Sequence, residues 1–224
     1  MNYFIARLTL LLAILLSSYK TEAQQTIRYV ALGDSYTAGT GAKEGQSWPI
    51  LLTKHLKEKK VNIELVANPS ENGRTTQGLI YYGLPIMDES RPTFVTLLIG
   101  VNDWIIKVDA ISFQKNLEYI IEHIEKQLPP KSKLVLITLP DFSVTPSGKN
   151  YSHGRDVSKG ISEFNKIICS EADKHNLTIV DLFELSKKMG TNPDWVSSDG
   201  LHPSAKGYEV WEAQIFSVVY PLLK

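Results

Sequence analysis

The sequence contains a single cysteine, Cys169, among its 224 residues. One cysteine excludes an intramolecular disulfide framework and any zinc site built on cysteine ligands. Because Cys169 ends the apolar run Ile167-Ile168-Cys169, we expect it to be a small side chain of the hydrophobic core. The five histidines are scattered, with no HxxxH or HxH pair, so the sequence predicts no dedicated transition-metal site.

The chain also lacks an excess of charge of either sign, with 24 basic and 24 acidic residues. A surface that binds nucleic acid needs clustered positive charge, so this balance argues against a nucleic-acid partner. Apolar residues make up 43% of the sequence, and no low-complexity tract or linker divides it, which excludes a disordered chain. We therefore expect one domain that is large enough to bury a proper core.

A hydrophobic run long enough to span a bilayer is missing as well. The apolar stretch Leu8 to Leu16 is too short, follows a positive charge at Arg7 and precedes a small-x-small sequence that ends at Ala23. We expect residues 1–23 to be a secretory signal peptide and residues 24–224 to form the mature domain, which is secreted or periplasmic and has no stable membrane insertion. Since the leader holds two basic residues and one acidic residue, the mature chain carries 22 basic and 23 acidic residues.

Short apolar runs alternate with stretches of helical periodicity along the mature chain. This alternation predicts an α/β protein: a three-layer αβα sandwich with a five-stranded parallel sheet, of flavodoxin-like type. One run, TFVTLLI, is apolar at nearly every position, which is typical of a strand covered on both faces. The predicted strands are Ile27–Leu32, Asn62–Ala67, Thr93–Ile99, Leu134–Leu139 and Leu177–Leu182, and the predicted helices are Ser47–Lys60, Ser112–Leu128, Ser158–His175 and Ser204–Tyr220.

The first predicted strand runs into Gly33-Asp34-Ser35-Tyr36. In a parallel sheet the carboxyl ends of the strands lie along one edge, and ligands bind in the crevice outside that edge. A serine at such a turn can present its hydroxyl as a nucleophile beside outward-pointing amides. The same residues are also common in simple turns, and this alternative stays open. The loop fits none of GxxxxGK[ST], GxGxxG and GxSxG, which argues against a phosphate-binding loop and against the α/β-hydrolase nucleophile turn.

Three further segments fall near the same edge. Gly73 follows the second strand in a sequence that indicates only a turn. Asn102 follows the third strand, and its amide can either donate to a developing oxyanion or cap the next helix. Asp199 and His202 follow the fifth strand at a spacing that lets one loop hold a carboxylate against an imidazole, although a turn with an incidental histidine has the same sequence. The joint occurrence of the four segments is far more specific than any one of them.

Taken in order, the segments GDSYTAG, NGRTT, GVND and DGLHP resemble the four sequence blocks of the SGNH/GDSL hydrolases, a family of esterases, lipases, thioesterases and sugar deacetylases. The resemblance extends from Ile27 to Leu222 and implies the SGNH hydrolase fold. It implies that Ser35, Asp199 and His202 are the catalytic triad. It also implies that the N–H groups of Ser35 and Gly73 and the amide of Asn102 form the oxyanion hole.

The resemblance predicts a serine esterase that forms an acyl-enzyme on Ser35 and needs no cofactor or metal. Its partner is a small-molecule ester, either a short-chain acyl or acetyl ester, with acetylated sugars among the candidates. A lysophospholipase or thioesterase acting on lipids is an alternative within the family. A non-catalytic flavodoxin-like binder of small molecules is one alternative outside the family, but it leaves the block DGLHP unexplained. A catalytically idle carbohydrate-binding or scaffolding protein is another, but it would have no need of the Ser, Asn, Asp and His together.

Several neighbouring residues complete the prediction. Tyr36, which stands where the eponymous motif has leucine, and Trp104 are expected to wall an acyl pocket. Asp34 and Asp103 are expected to hold loops through hydrogen bonds to backbone groups. The segment from Pro140 to Asp156 is long and lacks periodicity, so we expect it to form a rim or lid of the site.

Overall fold

A computed structural model describes residues 25–224, so the predicted signal peptide lies outside the described residues. Five strands form one sheet in the order β2-β1-β3-β4-β5, and every neighbouring pair is parallel. The strands are β1 (Ile27–Gly33), β2 (Ile63–Ala67), β3 (Phe94–Leu98), β4 (Lys133–Ile137) and β5 (Thr178–Val180). The predicted five-stranded parallel sheet is confirmed.

Helices separate and follow these strands in the alternation that the sequence predicts. They are α1 (Ser35–Ala38), α2 (Trp48–Glu58), α3 (Thr76–Gly78, a π-helical turn Leu79–Gly83, and Leu84–Ser90), α4 (Val101–Ile105), α5 (Ala110–Gln127), α6 (Val157–His175), α7 (Phe183–Ser186) and α8 (Ala205–Leu223). Short 3-10 turns lie at Phe142–Val144, Gly148–Tyr151, Lys187–Gly190 and Pro193–Trp195.

The helices form a layer on each face of the sheet. Helix α2 packs against α8 in one layer, and α5 packs against α3 and α6 in the other. Helix α5 shows the origin of this packing, since five apolar side chains recur along it at helical spacing and are buried, while most of the intervening positions are polar. These buried residues are Phe113, Leu117, Ile120, Ile121 and Ile124. The three-layer α/β fold is therefore confirmed.

Helix α5 begins two residues earlier than its sequence pattern predicts. The Asp109 side chain caps its N-terminus by accepting a hydrogen bond from the Ser112 N–H at 2.9 Å. The helix ends at Gln127, because Leu128 adopts extended backbone geometry immediately before Pro129 and Pro130. The cap, rather than the apolar stripe, sets the first residue of this helix.

Four helices were not predicted from the sequence, the short α1, α4 and α7 and the longer α3. Gly78, Gly83 and Pro85 interrupt the α3 segment and weaken any helical pattern. Its two tyrosines, Tyr81 and Tyr82, are 66% and 65% exposed, so they do not add to a buried apolar stripe. Contacts with β1, β2 and α5 hold the helix in place, and such long-range contacts leave no local sequence signature.

The prediction that Cys169 is a core residue is wrong, because its side chain is exposed on α6. Successive residues of an α-helix are rotated by about 100°, so three consecutive apolar residues cannot all face the core. Ile168 is the buried member of the run, at 3% exposure, and Cys169 turns outward. None of the helices within residues 25–224 has both the length and the apolar character needed to cross a bilayer.

The strand order places a topological switch beside β1. Strand β2 lies on one side of β1, and β3, β4 and β5 follow on the other. Gly33 at the end of β1 is in register with Leu98 at the end of β3, so the loops after these two strands begin side by side. A crevice at such a switch point is the usual ligand site of a doubly wound sheet.

Candidate active site

Ser35 lies at the turn where β1 ends and α1 begins, and it is 7% exposed. Asp34 caps α1, since its Oδ1 accepts a hydrogen bond from the Tyr36 N–H at 3.0 Å. Gly33 permits the turn to lie against β3, because a Cβ at this position would be only 2.6 Å from the Leu98 carbonyl oxygen. The turn thus fixes Ser35 at the carboxyl edge of the sheet.

The imidazole of His202 connects Ser35 to Asp199. Its Nε2 is 2.9 Å from Ser35 Oγ, and its Nδ1 is 2.7 Å from Asp199 Oδ2. The Asp199 carboxylate accepts a hydrogen bond from the Nδ1–H group, which leaves Nε2 as the acceptor for the serine hydroxyl. The structure therefore brings the three predicted triad side chains into one chain of hydrogen bonds with the geometry of a nucleophile, a base and an orienting acid.

Asp199 is held in this position by its own loop. Its Oδ1 accepts hydrogen bonds from the Leu201 N–H at 2.7 Å, the His202 N–H at 2.9 Å and the Ser197 hydroxyl at 2.7 Å. Partial burial acts to raise the pKa of Asp199, but these bonds and the bond from the His202 ring outweigh it and lower the pKa to about 2. Asp199 is consequently a fixed negative charge beside the imidazole at any physiological pH.

Asn102 and Gly73, the two predicted oxyanion donors beyond Ser35, lie together at the same edge. Asn102 Nδ2 donates to the Arg74 carbonyl oxygen at 3.0 Å, which ties the loop that contains Gly73 to the start of α4. The same nitrogen is 3.5 Å from Asp34 Oδ2, too long for a strong hydrogen bond. Gly73 has a φ of +77°, a backbone conformation that glycine adopts without strain.

A cavity of about 260 Å³ opens beside Ser35 and His202. Gly73, Asn102 and the predicted wall residue Tyr36 line it as well. The sequence analysis missed its remaining residues, which are the apolar or aromatic Val101, Ile105, Phe142, Tyr151 and Leu201 and the polar Asn72. Each of these residues lies in or next to one of the four sequence blocks or on the segment after β4. Their nearness in sequence to the blocks was the one signal that could have indicated them as wall residues.

Trp104 does not line this cavity, so its prediction as a wall residue is wrong. The centroid of its ring lies 3.8 Å from the guanidinium carbon of Arg155, and the ring makes a T-shaped contact with Phe142. On α4, Ile105 lines the cavity one turn after Asn102, whereas the side chain of Trp104 packs against α6. A Cβ at Gly160 of α6 would be 1.9 Å from the Trp104 ring nitrogen, which shows how closely the two helices pack.

Tyr36 supports the imidazole as well as lining the cavity. Its ring centroid is 5.1 Å from that of His202 on one side and 5.6 Å from that of Trp211 on the other. Only 2% of Tyr36 is exposed. The aromatic ring that replaces the leucine of the family motif therefore packs between helix α8 and the catalytic histidine candidate.

The segment from Pro140 to Asp156 forms the rim that the sequence predicts, through Phe142 and Tyr151. The buried carboxylate of Asp141 anchors it by accepting hydrogen bonds from the Ser143 N–H and the Ser158 hydroxyl. Two 3-10 turns give this part of the chain a definite fold in place of an irregular loop.

Asp34 and Asp103 are two fully buried carboxyl groups behind the site. The predicted loop-holding role is confirmed for both, since Asp34 accepts from the Tyr36 N–H and Asp103 accepts from the Thr76 N–H. Burial is the main cause that raises the pKa of Asp34 to about 7, with the Tyr36 N–H opposing it and the charge of Asp103 adding to it. Burial also raises the pKa of Asp103. Within residues 25–224, no group of three or more His, Cys, Asp or Glu side chains is arranged to hold a metal ion.

Comparison with known proteins identifies the family of this chain. The sequence model of the GDSL-like lipase/acylhydrolase family matches residues 31–210. An arylesterase of Vibrio mimicus is 26% identical over 206 residues, which are 92% of this chain and 94% of the relative, and esterase TesA of Pseudomonas aeruginosa is 24% identical over 95% and 94%. The crystal structure of a lipase/acylhydrolase from Enterococcus faecalis, 25% identical, superposes with a TM-score of 0.70 over 89% of this chain and 98% of the other. The chain therefore belongs to the GDSL-like lipase/acylhydrolase family and is an ester-hydrolysing enzyme.

Proposed function

We propose that this protein is a serine esterase that hydrolyses small esters of short acyl chains through an acyl-enzyme on Ser35. The observation that carries the proposal is the unbroken chain of hydrogen bonds from Asp199 through His202 to Ser35 at the mouth of a cavity. A non-catalytic binder of small molecules has no use for this alignment, which provides a nucleophile with its base.

Catalysis begins when Ser35 Oγ attacks the ester carbonyl and His202 Nε2 removes its proton. His202 then donates that proton to the leaving alcohol, while the carboxylate of Asp199 stabilises the imidazolium. The N–H groups of Ser35 and Gly73 and the Asn102 amide donate to the oxyanion, whose charge develops only in the transition state. Water activated by His202 finally releases the acid from Ser35. These steps use protein groups and water alone.

The size of the cavity supports a short acyl chain. Its volume of about 260 Å³ lies just below the range of about 300–1,000 Å³ that is usual for small-molecule pockets. Each methylene of the acyl chain that is buried against the apolar walls contributes about 0.8 kcal/mol to binding, until the cavity is filled. The long chain of a lysophospholipid exceeds this space, so short-chain and acetyl esters, including acetylated sugars, are the substrates that we favour over lipids and long-chain thioesters.

We expect kcat/KM on p-nitrophenyl esters to be highest for acyl chains of about two to six carbons and to fall at least tenfold by about twelve carbons. Ile105→Ala should enlarge the cavity and move the optimum to a longer chain by about two carbons. The matched control is Ile106→Ala, because Ile106 is 64% exposed and lies outside the cavity. A wild-type kcat/KM that keeps rising up to acyl chains of about twelve carbons would contradict the short-chain assignment.

We also propose that the enzyme is exported after cleavage near Ala23. The charge at Arg7, the short apolar run and the small residues before Gln24 support this. Strand β1 begins at Ile27, so cleavage at this site leaves the whole sheet in the mature chain. N-terminal sequencing of the exported protein tests the proposal, and an intact Met1 on active enzyme in the cytoplasm contradicts it.

A further inference from the structure

One residue of the cavity rim, Ser147, forms hydrogen bonds to the loop that holds Asp199 and His202. The Ser147 N–H donates to the Gly200 carbonyl oxygen at 2.8 Å. Its hydroxyl donates to the Asp199 carbonyl oxygen at 2.9 Å. A single residue of the rim thus binds two consecutive carbonyl groups of the catalytic loop.

Ser147 supports the tip of the catalytic loop, whereas the hydrogen bonds within the loop hold its base and the Asp199 carboxylate. The base of the loop is closed by a bridge between Val196 and Pro203 and by a hydrogen bond from the Ser197 N–H to the His202 carbonyl oxygen at 2.8 Å. The Asp199 side chain is 40% exposed, so packing alone does not fix it. The carbonyl groups at the tip of the loop are instead held by Ser147.

The geometry of Gly200 fits this contact closely. Gly200 has a φ of +74°, and a Cβ at this position would be 2.6 Å from Ser147 Oγ. A side chain at residue 200 would therefore push the two segments apart in addition to straining the backbone. The absence of a side chain at Gly200 therefore leaves the space that the Ser147 hydroxyl occupies.

The segment that follows Ser147 in the chain reaches the substrate cavity. Ser147 precedes the 3-10 turn Gly148–Tyr151, whose last residue lines the cavity. A Cβ at Gly148 would be 2.0 Å from the Phe142 carbonyl oxygen, so this turn also lies tightly against the second aromatic residue of the wall. The cavity wall and the acid–base pair are consequently connected through one short stretch of chain.

We propose that Ser147 is a positioning residue that aligns the Asp199–His202 loop with Ser35 and couples this loop to the cavity wall. The inference rests on the proposed esterase function of the same site. Ser147 touches neither the reacting atoms nor the triad side chains, and its effect passes through the backbone of residues 199 and 200. Its loss should consequently reduce the rate of the chemical steps rather than the binding of substrate.

The test compares three variants on p-nitrophenyl acetate. Ser147→Ala keeps the backbone bond and loses the hydroxyl bond, so kcat should fall about five- to tenfold while KM stays within about twofold. Ser147→Thr keeps a hydroxyl and should recover most of the lost kcat. Ser152→Ala is the matched control, because it removes a hydroxyl of the same segment whose described hydrogen bonds, to the Lys149 carbonyl oxygen and from the Gly154 N–H, stay within that segment. We expect it to retain the wild-type kcat.

An unchanged kcat in Ser147→Ala would overturn the proposal, as would a change confined to KM. An equal loss of kcat and of melting temperature in Ser147→Ala and Ser152→Ala would also overturn it, because it would show a general effect on the segment. Labelling of Ser35 by a fluorophosphonate separates this outcome from failure of the esterase proposal. A wild-type enzyme that is not labelled counts against the esterase, whereas a labelled enzyme with an unaffected Ser147→Ala variant counts against the positioning role alone.

Discussion

Replacing Ser35 with alanine is expected to lower kcat on p-nitrophenyl acetate by about 10⁴-fold or more. The variant loses the oxygen that attacks the carbonyl, and the acyl-enzyme cannot form. The fold should persist, because the change removes one oxygen at the end of β1 and leaves the Asp34 cap on the Tyr36 N–H in place. Circular dichroism and the melting temperature check the fold, and initial rates with saturating substrate give kcat.

A fluorophosphonate distinguishes loss of the nucleophile from loss of substrate binding. It should react with Ser35 in the wild-type enzyme and leave the Ser35→Ala variant unlabelled. Peptide mapping of the labelled protein identifies the residue that has reacted. If the folded variant retains most of its activity, or if another serine carries the label, Ser35 is not the nucleophile.

Asp199→Asn is expected to lower kcat by about 10³- to 10⁴-fold with little change in KM. The amide has the shape of the carboxylate but no charge, so it cannot stabilise the imidazolium of His202. It can also donate to Nδ1, which would favour the tautomer with the proton on Nε2 and prevent that atom from accepting the proton of Ser35. Steady-state kinetics of the purified variant measure both parameters.

Asp194→Asn is the matched control for this change. Asp194 is a nearby exposed carboxylate that pairs with Lys206 and does not line the cavity. Exposed ion pairs contribute little to stability, so this variant should behave like the wild type. An Asp199→Asn enzyme that keeps more than about a tenth of the wild-type kcat would show that His202 does not depend on this carboxylate.

The sheet and the triad were predictable because their signals are local. Each strand is a short apolar run, and the carboxyl ends of parallel strands must share an edge, so Ser35, Asn102 and His202 had to fall near one another. The serine at the end of β1 and the histidine on the last loop are 167 residues apart in sequence, yet their atoms lie 2.9 Å apart. The two residues meet because all the strands are parallel and the loops that follow them lie at the same edge of the sheet.

The details that the sequence did not reveal depend on the orientation of side chains and on long-range packing. The choice between Trp104 and Ile105 as a wall residue follows from the rotation of α4 against α6, which apolar character cannot decide. Helix α3 is formed by packing against the sheet and α5 in spite of its glycines. The contact of Ser147 with the catalytic loop depends on the path of an aperiodic segment.

The buried Asp34 has a consequence for the pH at which this enzyme is most stable. The pKa of Asp34 rises from 3.8 to about 7 on folding, so between these values the folded protein holds a proton that the unfolded chain has released. Its contribution to the free energy of unfolding therefore decreases as the pH rises from about 4 toward about 7. Asp199 acts in the opposite sense, because its pKa falls from 3.8 to about 2 and its contribution is lost in acid below about pH 4. These two carboxyl groups, one behind the nucleophile and one behind the base, together make the folded protein most stable under mildly acidic conditions. Denaturant unfolding measured at a series of pH values should show that the free energy of unfolding declines toward neutral pH.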